Sequence, residues 1–211
     1  WQQPVDRSEW HMPAHLVNAY YDPQQNQIVF PAAILQAPFY SLSQSSSANY
    51  GGIGAVIAHE ISHAFDTNGA SFDEFGSLKN WWTDDDFAAF KVRTDRVVAQ
   101  FDGLDSYGAK VNGKLTVSEN VADLGGLAAA LAAAAQEPDF YATDFFESWA
   151  TIWRMKARPE YMQLLAASDP HGPAKLRVNV QVKNFDAFFA AFNVQPSDGM
   201  WLAPAERVQI W

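Results

Sequence analysis

His59-Glu60-Ile61-Ser62-His63 lies inside a run, Tyr50–Phe65, whose Ile53, Val56, Ile57 and Ile61 recur at helical spacing. Helical residues four apart share a face, so both imidazoles can reach one metal ion. Glu60 stands beside that face, where it can take a proton from a metal-bound water. An ordinary helix can carry two histidines with no metal. The helical setting and the flanking apolar residues favour a metal site instead. Gly51, Gly52 and Gly54 weaken the first turns but allow close packing, and Asn68-Gly69 lies just past the expected helix end.

A catalytic zinc takes three protein ligands and keeps one position open for water. No histidine follows His63 at the short spacing of the three-histidine zincins. The best third candidate is Glu119 in Glu119-Asn120-Val121-Ala122-Asp123, near the start of a long helical pattern, Val117–Gln136, with Ser118 as a candidate N-cap. Glu119 and Asp123 are four apart, so both carboxylates point the same way. One can bind the metal while the other accepts a ring N–H from a ligand histidine. Two acids near a helix start are commonplace, and only the first motif makes ligand candidates of them. His11 and His15 are also four apart, but Pro13 interrupts the pair and no acid accompanies it, so they read as non-catalytic. His171, in Asp169-Pro170-His171-Gly172-Pro173, precedes Arg177 by six positions. A loop imidazole beside an acid and near a cation can steady a developing negative charge.

Around these motifs the chain reads as one large domain or two small ones, with no internal repeat and no dividing linker. Leu16–Tyr21 and Gln27–Phe30 read as a hairpin around Asp22–Asn26. Thr83 is expected to cap a helix running to about Phe101. A second hairpin is expected over Lys110–Leu115, around Asn112-Gly113. Helices are expected near Thr143–Lys156, Pro159–Ala167 and Asn184–Phe192. Asp169–Asn179 reads as irregular with a strand-like tail, and the stretch up to Trp211 as extended.

Composition narrows the function. Lys and Arg number 14 against 24 Asp and Glu, a net charge of −10, which argues against nucleic acid as a partner. No apolar run is long enough to span a bilayer. The absence of cysteine excludes disulfides, zinc ribbons and thiol catalysis. Eight Trp in an aromatic content of 14% are a large apolar surface to cover. A well-packed domain fits that, and so does a portion that docks against a segment it lacks. Trp1-Gln2-Gln3-Pro4 opens without an initiator Met or a signal-like run, so the chain is expected to be processed or part of something longer.

Taken together, the blocks resemble the neprilysin and endothelin-converting-enzyme family of zinc metallopeptidases, with its bacterial oligopeptidase members. They are Val17-Asn18-Ala19-Tyr20-Tyr21; Asn49–Gly54 running into His59–Asp66; Glu119–Gly126; Asp169-Pro170-His171 with Arg177-Val178-Asn179; and the terminal Trp211. The resemblance implies one zinc ion held by His59, His63 and Glu119, with Glu60 as general base and proton shuttle. It implies that Asp123 orients His59, that His171 stabilises the oxyanion, and that Asp169 holds His171. Asn18 and Ala19 resemble the edge that pairs with the substrate backbone, and Arg177 the group that binds a substrate carbonyl. Phe39, Val56 and Trp153 match the hydrophobic pocket for the residue after the cut, and Asp66 is a further candidate behind the ligands.

The implied fold is α+β and zincin-like (gluzincin), a small mixed sheet with several helices. Val194 and Val208 stand where animal members carry cysteines, which points to a bacterial protein. The family's enzymes are considerably longer. Residues 1–211 therefore resemble the carboxyl-terminal catalytic portion, lacking an amino-terminal helical region that would be a partner. The implied location is periplasmic, secreted or anchored through that region, with the cytoplasm left open. The expected activity is cleavage of short peptides on the amino side of hydrophobic residues. The alternative is an inactive or partner-requiring half that binds zinc and peptide. An aminopeptidase-type site is disfavoured, because Glu119 lies 56 positions after His63 (119 − 63).

Overall fold

The computed structural model describes residues 6–211, so the reading of Trp1-Gln2-Gln3-Pro4 lies outside the described residues. Strands β1 (Tyr20–Asp22) and β2 (Gln27–Val29) pair antiparallel with Tyr20 opposite Val29, shorter than the expected runs. Helix α1 (Ser46–Asn49) begins at Ser45, whose hydroxyl accepts from the Ala48 N–H. It continues through a wide π-type turn, Tyr50–Gly54, into α2 (Ala55–Ser62) and a tight last turn, His63–Phe65.

The motif helix is therefore kinked rather than straight, and glycine is the reason. A Cβ on Gly51 would lie 2.0 Å from the Phe145 carbonyl oxygen, and one on Gly52 would lie 2.4 Å from that of Phe39. Ile53 and Val56 face the core as the spacing predicts. Ile57 and Ile61 do not, and with Phe65 they form an exposed apolar strip.

Helix α3 (Asp84–Phe101) starts where expected: Thr83 Oγ1 accepts from the Asp86 N–H, and Asp84, Asp85 and Asp86 sit at the positive end of the dipole. The second hairpin is displaced from its expected place. It joins β3 (Asp105–Ser106) to β4 (Ala109–Lys110) through Tyr107 and Gly108, both at positive φ. Asn112 instead turns its side chain onto the N–H groups of Lys114 and Leu115, and Gly113 packs against the Val98 carbonyl.

Helix α4 (Val117–Ala134) follows, without the expected cap from Ser118, whose hydroxyl goes elsewhere. Next come α5 (Ala142–Ile152), α6 (Pro159–Ser168), α7 (Ala174–Asn179) and α8 (Asp186–Phe192). The strand-like reading of the stretch ending at Asn179 is thus overturned. Pro173 starts a short helix there, held by burial of Arg177.

The domain is mostly helical. The expected mixed sheet is replaced, among the described residues, by two separate antiparallel pairs of two or three residues per strand. Two cores flank the site. Phe145, Phe146 and Trp149 of α5 pack with Val56, Leu127 and Val182. Phe90, Val97 and Phe101 of α3 pack with Val121, Leu124 and the tail residues Val208 and Ile210. Each such aromatic is worth about 1.5–3 kcal/mol in transfer from water. Helices α2 and α4 lie between the two cores. They approach closely because Gly126 has no Cβ, which would fall 2.6 Å from the His59 backbone nitrogen.

Candidate metal centre

The close crossing of α2 and α4 brings together side chains far apart in sequence. His59 Nε2 and His63 Nε2 lie 3.0 Å apart, and Glu119 Oε2 lies 3.3 Å from the first and 3.6 Å from the second. All three atoms fall within 4.8 Å of one another. Behind each imidazole stands a buried carboxylate. Asp66 Oδ2 is 2.6 Å from His63 Nδ1. Asp123 Oδ1 is 2.8 Å from His59 Nδ1, a close polar contact although the N–H is not aligned on the oxygen. These contacts occupy the Nδ1 positions and leave the Nε2 atoms facing the centre.

The residues fit a divalent cation on this geometry. Glu119 Oε2 is buried yet has no aligned hydrogen-bond donor, and the Nε2 atoms of two imidazoles point at the same spot. Two imidazoles and one carboxylate are a donor set that suits zinc. Electrostatics agree. Burial alone would lower the His59 pKa, but Asp123 and Glu119 outweigh it and hold it at about 10. Burial would raise Glu119, and the neighbouring imidazoles pull it well below its ordinary value instead. The site thus favours positive charge where the three atoms meet.

Glu60 is buried on the same helix and lines the same cavity, of about 460 Å³. Burial raises its pKa against the pull of the imidazoles. His171 stands at the mouth with Nε2 3.3 Å from Glu119 Oε2. Asp169 Oδ1 is 2.7 Å from His171 Nδ1 and also accepts from the His171 backbone N–H, while Asp169 itself stays outside the cavity wall. Asn18, Ala19, Phe39, Val56 and Trp153 all line the cavity, as does Asp66.

Arg177 lines it too, and its guanidinium is engaged by two neighbours. Nε and Nη2 both donate to Asp123, and the guanidinium carbon lies 3.7 Å from the Trp153 ring centroid. His11 pairs with Asp22, and neither His11 nor His15 joins the centre. Sequence reasoning missed Trp149 and Tyr21 in the cavity wall, and the Asn68 and Ser118 side chains at its rim. Trp149, on α5, lies four positions before Trp153, the residue that ends the helix, a spacing that could have flagged it. Nothing in the sequence signals where Asn68 and Ser118 point.

A kinked motif helix crossed by a second acid-bearing helix, with short strands at the rim, defines a zincin-like domain with a candidate metal centre. More particularly, the chain belongs to Peptidase family M13, whose model matches residues 18–208. It is 57% identical over 209 residues to the neutral endopeptidase of Lactococcus lactis subsp. lactis, covering 99% of this chain and 33% of that protein. It is 39% identical over 219 residues to endothelin-converting enzyme 1 of Bos taurus, covering 98% of this chain and 29% of that protein. The crystal structure of PepO from Lactobacillus rhamnosis superposes with a TM-score of 0.93 at 54% identity, covering 98% of this chain and 33% of that one. The zinc metalloprotease Zmp1 of Mycobacterium tuberculosis, solved with an inhibitor, gives a TM-score of 0.93 at 45% identity, over 100% of this chain and 35% of that one. The chain thus spans about a third of the length of the curated relatives it matches. No helix among the described residues is long and apolar enough to cross a membrane.

Proposed function

We propose that residues 1–211 form the carboxyl-terminal catalytic portion of a zinc-dependent endopeptidase that cleaves short peptides on the amino side of hydrophobic residues. The observation that carries this is the convergence of His59 Nε2, His63 Nε2 and Glu119 Oε2 beside the buried Glu60 carboxyl. One zinc ion held by those three side chains would supply a Lewis acid that acidifies water and polarises a peptide carbonyl. Glu60 takes the proton of the attacking water and returns it to the leaving amine, a role served by its raised pKa.

His171, steadied by Asp169, donates to the oxyanion. Asp123 and Asp66 orient His59 and His63. Among the described residues β1 pairs with β2 alone, so its other edge is free. Asn18 and Ala19 lead into that edge and hydrogen-bond the extended substrate backbone. Phe39, Val56 and Trp153 receive the hydrophobic side chain after the cut. Arg177, fixed by Asp123, binds a substrate carbonyl through Nη1, which has no hydrogen-bond partner among the described residues.

The test is Glu60→Gln in the full-length protein. One zinc per chain should remain by atomic absorption, while turnover of a quenched peptide falls about 10²–10⁴-fold. Full activity would remove Glu60 from the mechanism.

A second reading, an inactive or partner-requiring zinc- and peptide-binding half, is favoured by the exposed strip of Ile57, Ile61, Phe65 and Trp211. The partner in that reading is the helical remainder of a longer, bacterial protein, exported or anchored through it. The purified 211-residue chain, assayed on the same peptide with and without chelator, separates the two readings. Chelator-sensitive turnover by the chain alone rejects the second.

A further inference from the structure

Asp66 is 1% exposed and lies just beyond the last turn of the motif helix. Its Oδ1 accepts from the backbone N–H groups of Asn68 and Gly69, at 2.7 and 2.8 Å. Its Oδ2 faces His63 Nδ1 and also accepts from the Ser118 hydroxyl. Asn68 Nδ2 in turn donates to Ser118 Oγ at 3.1 Å. Ser118 immediately precedes Glu119 on α4, whereas Asp66 and Asn68 belong to the loop after α2. One hydroxyl therefore joins the two stretches that carry the candidate ligands. A serine in the first turn of a helix ordinarily bonds its own backbone, but this one reaches across 52 positions.

We infer that Ser118, clamped by Asn68, is a positioning residue for the metal centre. It holds the Asp66 carboxylate where it accepts the His63 ring N–H, and it sets the distance between Glu119 and His63. The inference rests on the zinc reading above. Without Ser118, Asp66 keeps three donors and is not orphaned, so the loss is one of alignment more than of buried polarity.

In the full-length protein, Ser118→Ala should raise the zinc Kd at least about tenfold in chelator competition, as loss of outer-shell partners does elsewhere. The visible spectrum of the cobalt(II)-substituted protein should shift, and the melting temperature of the zinc-free form should change little. Ser118→Thr, which keeps the hydroxyl, should restore the affinity. Asn68→Ala leaves the carboxylate contact but frees the hydroxyl, and should show a smaller loss of the same kind; it serves if Ser118→Ala does not fold. Unchanged affinity in the alanine variants, or no rescue by threonine, overturns the inference. If the unaltered protein binds no zinc, or Glu119→Ala binds it normally, the underlying zinc reading fails instead.

Discussion

Arg177 grips Asp123 with two parallel hydrogen bonds, Nε to Oδ2 and Nη2 to Oδ1, each 2.7 Å long. Both residues are buried, and Asp123 Oδ1 simultaneously faces His59 Nδ1. The guanidinium therefore bears on the candidate metal centre through the carboxylate that faces His59.

Breaking that fork should be costly. Arg177→Met removes one partner of a buried pair and strands the Asp123 charge, which typically costs about 3–5 kcal/mol. Urea unfolding of the variant should show the loss, and zinc competition should show weaker binding. A variant as stable as the original would mean that Asp123 is solvated in solution.

Acid should destabilise the zinc-free protein through the same carboxylate. Burial raises the Asp123 pKa, but Arg177 and His59 outweigh it and hold it well below the ordinary range. Below about pH 4 the unfolded chain takes up this proton before the folded one does. The contribution is therefore complete above the unfolded value and is lost as pH falls toward the folded one. Melting temperatures between pH 7 and 3 should drop. Asp123→Asn should start lower at pH 7 and fall less steeply.

Metal uptake should release protons. With no ion in place, His59 keeps its proton up to about pH 10, and a ligand nitrogen must be free of it to bind. Zinc affinity should then weaken as pH falls. Calorimetry at pH 8 in buffers of differing ionisation enthalpy should show about one proton released per zinc. Binding heats that do not vary with buffer would contradict this.

Gly126→Ala should push α2 and α4 apart. Its Cβ would meet the His59 backbone at 2.6 and 2.7 Å, and backbone cannot swing aside as a side chain can. Overpacking of this sort costs about 1–3 kcal/mol. Chemical denaturation should register that cost, and zinc competition should show a larger proportional effect than for Gly103→Ala. Gly103 is a control for zinc binding only, because it has open space around it but a positive φ.

Much of this site was legible in the residue order, because helix geometry is local. Spacing by four places His59 with His63, and Glu119 with Asp123, on shared faces before any tertiary contact exists. Thr83 and its three acids likewise mark the start of α3. The failures have one cause in common: contacts between groups distant in the sequence. Ser118 looks like a cap and serves Asp66. Arg177-Val178-Asn179 looks like a strand and is drawn into a helix whose arginine reaches Asp123. Asn112-Gly113 looks like a hairpin turn, but its glycine is needed for close approach to Val98.

Sequence by itself determined the donor types, their pairing within each helix and the family. Only the tertiary structure decided that the two helices cross at Gly126, that Asp66 backs His63, and that Ser118 joins the loop after α2 to the start of α4. Periodicity governs neighbours within a turn or two. The meeting of residues more than fifty positions apart depends on how the side chains of two cores pack around the crossing.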